Sequence, residues 1–294
     1  MILGGYVMLW LLFLSIVAAS LNSVTMHQAD LSKKGSIYQF NLLCSAVWCV
    51  CLFVASGGIV CLDKSVLLWG CVYGVTQALF VLCKTTAMNS GSVSVTTLIG
   101  NCSLVISVTF CLLLWREPIT PGDILGLLLL IVGIVLTTYK KKQGEHFTRR
   151  WGISAFFFLV FGAGVGIIFK AFSKSVSAEK AADMMLVAAL VMMLFYAAIL
   201  LLRRELKVVK SLKSQGRTFV IVSLICGLLG CLYNRLNIFL SGNLSSIVFF
   251  PVFNGGVVVL SAVLSIILLR ERPGLRRCIG LLFGIVGICI IGIF

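Results

Sequence analysis

Long apolar runs broken by short charged clusters organise this sequence. Ten stretches reach the roughly 20 apolar residues that a helix needs to cross a bilayer: 2–21, 37–60, 66–87, 90–114, 121–139, 151–172, 184–202, 218–240, 244–269 and 275–294. Between them lie clusters such as Asp63-Lys64, Arg116-Glu117-Pro118, Lys140-Lys141-Lys142, Arg203-Arg204-Glu205 and Arg270-Glu271-Arg272-Pro273. A hydrocarbon core penalises such charges by several kcal/mol, so they mark its borders. No stretch is left for a soluble domain. The first run carries bulky residues throughout and no basic leader, so it is expected to be a retained helix and not a signal peptide. The pattern predicts an all-α membrane protein with ten transmembrane helices.

Composition agrees and narrows the meaning of the charge. Of the 294 residues, 60% are hydrophobic and 11% charged, against about a quarter charged in soluble domains. The formal charge of +15 would suggest nucleic acid in a soluble chain; here it reports orientation, and no nucleic-acid partner is expected. Seventeen basic residues fall in the loops after helices 1, 5, 7 and 9, Lys33, Lys140, Arg203 and Arg270 among them. Four fall in the other loops: Lys64, Arg116, Lys174 and Lys180. Basic loops stay cytoplasmic, which puts both termini outside. The basic 203–217 loop also suits acidic lipid headgroups. The 12 cysteines are scattered in and beside the spans without a metal or redox spacing, so they read as small packing residues. His27 and His146 lie in loops, so no intramembrane metal cage and no cofactor is expected.

The chain repeats itself. Glu117, Gly126, Leu127, Leu128, Ile131, Val132, Gly133 and Ile134 recur 154 positions later as Glu271, Gly280, Leu281, Leu282, Ile285, Val286, Gly287 and Ile288. Five spans per half is an odd number, so the second copy enters the membrane from the opposite side. The expected architecture is two inverted five-helix repeats, 1–145 and 146–294, as in many secondary transporters.

Two five-helix halves, with helices 4 and 5 joined by a short turn carrying Glu117 and followed by Gly126-x6-Gly133, resemble the drug/metabolite transporter superfamily, specifically its ten-helix EamA-type members. Ala87-Met88-Asn89-Ser90-Gly91-Ser92 resembles that family's turn between helices 3 and 4, and Phe250-Pro251-Val252-Phe253 its proline motif in helix 9. The first half departs from the motif with Thr97 where the second has Pro251. The resemblance implies alternating access and cytoplasmic termini, the latter opposite to the charge count. It also implies that helix 1 faces the cavity, which makes Trp10 a candidate contact.

Polar groups inside lipid are costly and mark candidate sites. Gly100-Asn101 and Asn254-Gly255-Gly256 lie near the centres of helices 4 and 9. Pro251 removes an amide donor one turn earlier. Gly100, Pro251 and Gly255 are thus candidate break or gating positions, and Asn101 and Asn254 either bind substrate or join helices. Lys84 shares a helix-3 face with Tyr73, Gln77 and Phe80 by its spacing. Arg235, flanked by Asn234 and Asn237, is the preferred candidate for attracting an anion, while Lys170 is expected to snorkel to the interface. All nine acidic residues lie in loops or at helix ends; Glu117 and Glu271 are expected to fix helix–loop geometry through caps and pairs with Arg116 or Arg270. The four-helix relatives that export cations use a helix-1 glutamate, which this chain lacks.

The expectation is a non-enzymatic carrier of a small organic metabolite, amino-acid-like or an organic anion, in the plasma (inner) membrane, with lipids and a homodimer as further partners. A flippase for lipid-linked head groups and a non-transporting membrane scaffold or sensor remain as alternatives.

Overall fold

A computed structural model describes residues 2–26, 36–58, 62–90, 93–138, 148–176, 180–203, 216–268 and 274–293. Ten helices fill them: α1 (Ile2–Met26), α2 (Ser36–Ala55), α3 (Lys64–Ser90), α4 (Val93–Trp115), α5 (Pro121–Thr138), α6 (Arg149–Ser175), α7 (Ala181–Leu202), α8 (Arg217–Asn243), α9 (Ser246–Leu268) and α10 (Leu275–Ile293). Among the described residues nine helices are long and apolar enough to cross a membrane, and α10 adds a shorter apolar stretch, Cys278–Ile291. The chain is an integral membrane protein. Much of the cluster-rich loop sequence, including His27, Lys33, Gly91-Ser92, Lys140–Lys142, His146, Arg204 and Arg270–Pro273, lies outside the described residues.

Local chemistry sets the helix ends. The apolar run of α2 was expected to continue to residue 60, but the helix stops at Ala55 because Gly57 and Gly58 adopt φ +66° and +79°. Glycine enters this left-handed region without Cβ strain, and it ends helices there. Thr120 opens α5 with a capping box: its N–H and Oγ1–H donate to Asp123 Oδ2 at 2.9 and 2.8 Å, and Asp123 N–H donates back to Thr120 Oγ1 at 3.1 Å. Pro121 follows as the first helical residue, where its missing donor costs nothing. Thr148 caps α6 by accepting from Trp151 N–H at 3.1 Å.

Two main apolar cores hold the helices. One gathers Trp48, Leu52, Tyr73, Phe169, Phe172, Met184, Met185 and Tyr196 from α2, α3, α6 and α7. The other gathers Leu12, Ile16, Leu104, Val108, Leu130, Phe249 and Phe250 from α1, α4, α5 and α9. Large apolar side chains such as Leu68, Leu113, Leu128, Leu194, Leu228 and Leu282 remain exposed, which in water would be an aggregating surface and in a membrane is the lipid-facing one.

The packing pairs recur between halves. α1 packs on α8 and α9 while α6 packs on α3 and α4, and α2 packs on α8 while α7 packs on α3. α3 and α8 are both 27 residues long and start 153 positions apart; α4 and α9 are both 23 residues long at the same offset. α5 and α10 meet backbone to backbone. A Cβ on Gly126 would lie 2.9 Å from the Gly287 carbonyl, and one on Gly133 would lie 2.8 Å from the Gly280 carbonyl. This is the close small-residue packing expected of that glycine stripe.

Candidate functional site

A chain of buried polar groups links α1 and α3 through α8. Gln77 is the midpoint residue of α3. One turn earlier Tyr73 is fully buried, packs tilted against Phe169 of α6 with ring centroids 5.2 Å apart, and donates its hydroxyl to Asn234 Oδ1 of α8 at 3.1 Å. Asn234 Nδ2 in turn donates to the Gly230 carbonyl at 2.8 Å. Asn237, on the same buried face of α8, accepts from Ser15 Oγ of α1 at 2.6 Å. Ser15 and Asn237 complete the cluster and were not singled out as candidates; the signal was present, since Asn234 and Asn237 are spaced to share one helix face.

This cluster has unused hydrogen-bonding capacity. Among the described residues, Gln77 Oε1 and, on α4, Asn101 Nδ2 are buried without a hydrogen-bond partner. Such a group ordinarily costs about 1–3 kcal/mol unless something binds it. Beside Asn101, Gly100 lies against the ring of Phe158, which pairs with Phe80 at 5.0 Å, so one aromatic bridge ties α3, α4 and α6 together. Lys84, one turn beyond Phe80, is half-buried. Among the described residues no carboxylate pairs with it.

Other candidates fall elsewhere. Arg235 is exposed on the stripe of Leu224, Leu228 and Leu232, all exposed, while its neighbours Asn234 and Asn237 turn inward. Trp10 is 70% exposed and meets Phe13 edge-on, with Tyr6, Phe13 and Leu14 exposed around it. Asn254 donates Nδ2 to the Phe250 carbonyl at 2.9 Å within its own helix. Pro251 is buried in α9. Gly255 lets Leu130 of α5 approach, and Gly256 lets Ile16 of α1 do so; the glycines admit neighbouring helices.

One polar assembly corrects the sequence expectation. Lys170 does not snorkel: it is 1% exposed and forms an ion pair with Glu117 Oε1 at 2.8 Å. Its ammonium also donates to the Leu244 carbonyl at 2.8 Å, where α8 ends. Glu117 does cap a helix as anticipated, but across the molecule, by accepting from Ser246 N–H of α9 at 2.6 Å. Its partner is thus Lys170 and not Arg116. Arg116 instead supplies the bend, with φ +49°, a left-handed backbone that a non-glycine residue adopts at about 1–2 kcal/mol. Burial pushes the Glu117 carboxyl up, but the hydrogen bonds from Lys170 and Ser246 N–H and the Lys170 charge outweigh it and hold it below its ordinary value. On the same membrane face Lys180 pairs with Asp63, joining the α2–α3 and α6–α7 connections.

The fold and the intramembrane polar cluster define a polytopic α-helical membrane protein. Residues 6–139, most of the N-terminal half, match the EamA-like transporter family. No curated protein matches the chain. A solved structure, described only as the crystal structure of a protein, has a TM-score of 0.70 at 14% identity, with 96% of this chain and 94% of that one covered; at that identity the likeness concerns the fold alone.

Proposed function

We propose that the chain is a secondary transporter carrying a small amino-acid-like or organic-anion metabolite by alternating access, built as two inverted repeats, 1–145 and 146–294. The glycine seam supports the repeat. Gly126 meets Gly287 while Gly133 meets Gly280, and a shift of 154 residues exchanges one contact for the other. Such reciprocity is what a two-fold axis through the seam produces. The 153-residue offset of α4 and α9 makes Asn101 equivalent to Asn254, whereas the 154-residue shift of the sequence repeat sets Gly100 opposite Asn254. The extra residue falls in the α9–α10 connection, 269–274, against 116–120 in the first half.

The observation that carries the substrate class is Lys84. A half-buried ammonium on the face of Tyr73 and Gln77, without a carboxylate partner among the described residues, is matched by an anionic group on the substrate. Gln77 Oε1 and Asn101 Nδ2 then offer one acceptor and one donor to the rest of a small polar molecule. Arg235 and Trp10 point outward and are left to headgroups and lipid. The polar cluster is complete within one chain, so a homodimer would leave it intact. The plasma membrane is the proposed location.

The test is uptake and efflux of amino acids and organic acids in vesicles reconstituted with purified protein. Lys84→Gln is expected to abolish transport of the anionic substrate at normal expression, while Arg235→Gln leaves it intact. Unchanged transport by Lys84→Gln refutes the assignment. Dependence on lipid-linked head groups would favour a flippase instead.

A further inference from the structure

Lys170 sits five residues before the end of α6, about 8 Å of helix. From there a lysine reaches water by extending its stem, yet this one is 1% exposed. What covers it is the α4–α5 connection of the first half and the α8–α9 turn of the second. Glu117 pairs with the ammonium and holds the first amide of α9; the ammonium holds the last carbonyl of the α8 turn. A single carboxylate–ammonium pair therefore pins the two-residue hinge, Leu244-Ser245, from which α9 carries Pro251 and Asn254 into the bundle.

We propose that Glu117 and Lys170 are positioning residues that form the latch of a gate on this membrane face. The pair seals the face while made, and its parting frees the α8–α9 hinge so that the opening of this side becomes part of the transport cycle. Both groups act through α9 and neither is assigned to the substrate. The inference rests on the alternating-access reading above, but its first readout does not need a substrate.

The polarity of the seat sets the variants that test it. The seat is polar in a fixed sense: Ser246 N–H needs an acceptor and the Leu244 carbonyl needs a donor. Exchanging the charges as Glu117→Lys with Lys170→Glu keeps an ion pair but opposes donor to donor and acceptor to acceptor, so it does not restore the wild type. Glu117→Gln keeps one acceptor oxygen for Ser246 N–H, but it removes the charge and turns an amide NH2, a donor, toward the Lys170 ammonium. Lys170→Met leaves a buried carboxylate uncompensated and is the variant at risk of misfolding; Glu117→Gln combined with Lys170→Met removes that charge and recovers expression.

The experiment is hydrogen–deuterium exchange of the full chain in lipid nanodiscs, with transport kinetics in vesicles alongside. In Glu117→Gln, and in the double variant, amides of 244–250 exchange about ten- to a hundredfold faster than in the wild type, as expected from losing a charge-assisted hydrogen bond, while peptides of α5 and α10 do not change. The maximal transport rate changes and KM does not. Wild-type exchange at 244–250 in both variants overturns the latch, as does full rescue by the charge exchange or a change in KM alone. Exchange that rises in vesicles showing no transport of any solute by the wild type counts against the carrier reading and not against the latch geometry.

Discussion

Adding one methyl group at Gly133 tests the seam on which the halves meet. A Cβ there would lie 2.6 Å from the Gly284 amide nitrogen, 2.8 Å from the Gly280 carbonyl oxygen and 2.9 Å from Gly284 Cα. All three are backbone atoms, so no rotamer can yield. Carbon contacts are favourable from about 3.5 Å, and the helices must therefore part locally by nearly 1 Å. Overpacking of this kind costs about 1–3 kcal/mol. Lipid offers no compensating hydrophobic gain for helices that are already apolar. At the roughly 2–4 °C per kcal/mol of somewhat smaller domains, the melting midpoint of Gly133→Ala falls by about 2–12 °C. Gly152→Ala in α6 is the control: nothing lies within 4 Å of its Cβ, and alanine favours the helix by up to about 1 kcal/mol. Gly280→Ala, whose Cβ meets Thr137 N at 2.7 Å, falls like Gly133→Ala. The double variant costs less than the sum, since one separation serves both. The assay is thermal unfolding of purified protein in detergent, followed by size-exclusion recovery. If Gly133→Ala melts at or above the wild type while Gly152→Ala melts below it, the close-packed seam is refuted.

Three further outcomes follow from the same geometry. Tyr73→Phe removes the donor to Asn234 at the centre of the cluster, at about 1 kcal/mol, and lowers transport without lowering expression; vesicle uptake normalised to protein checks it. Asp123→Ala removes the α5 capping box and lowers stability by about 1 kcal/mol, read as a lower melting midpoint. Glu117 has a folded-state pKa below its unfolded one, so its stabilisation is complete at neutral pH and is lost as pH falls through the folded value. Melting midpoints are therefore flat above about pH 5 and fall in acid below the ordinary glutamate value of about 4.3, with a smaller fall in Glu117→Gln; identical acid limbs for the two proteins would contradict this.

Helix placement was legible because the bilayer imposes a length and the borders are charged. The exception at α2 shows the limit: Gly57 and Gly58 look apolar in a run, and only their left-handed backbone ends the helix at Ala55. The site was harder to read. Tyr73 and Gln77 could be placed on one face from spacing alone; on α8 the shared face of Asn234 and Asn237 was the signal that Asn234 and not Arg235 turns inward, and it was overlooked because a lone charge in a span drew the attention to Arg235. Lys170 and Glu117 are 53 positions apart in the chain, and a lysine near a helix end looks the same whether it reaches water or lies beneath another loop. Their pairing is a tertiary fact.

The glycine seam also has a consequence for synthesis. Gly133 leaves the ribosome about 150 residues before Gly280, its partner across the seam, a delay of roughly 7–30 s at ordinary elongation rates. Throughout that interval α5 stands in the bilayer with its backbone stripe bare, open to lipid and to any other helix with small residues. A helix made long after α5 is thus the one that closes the first half, and a chain cut short before α10 leaves a membrane helix displaying an adhesive edge.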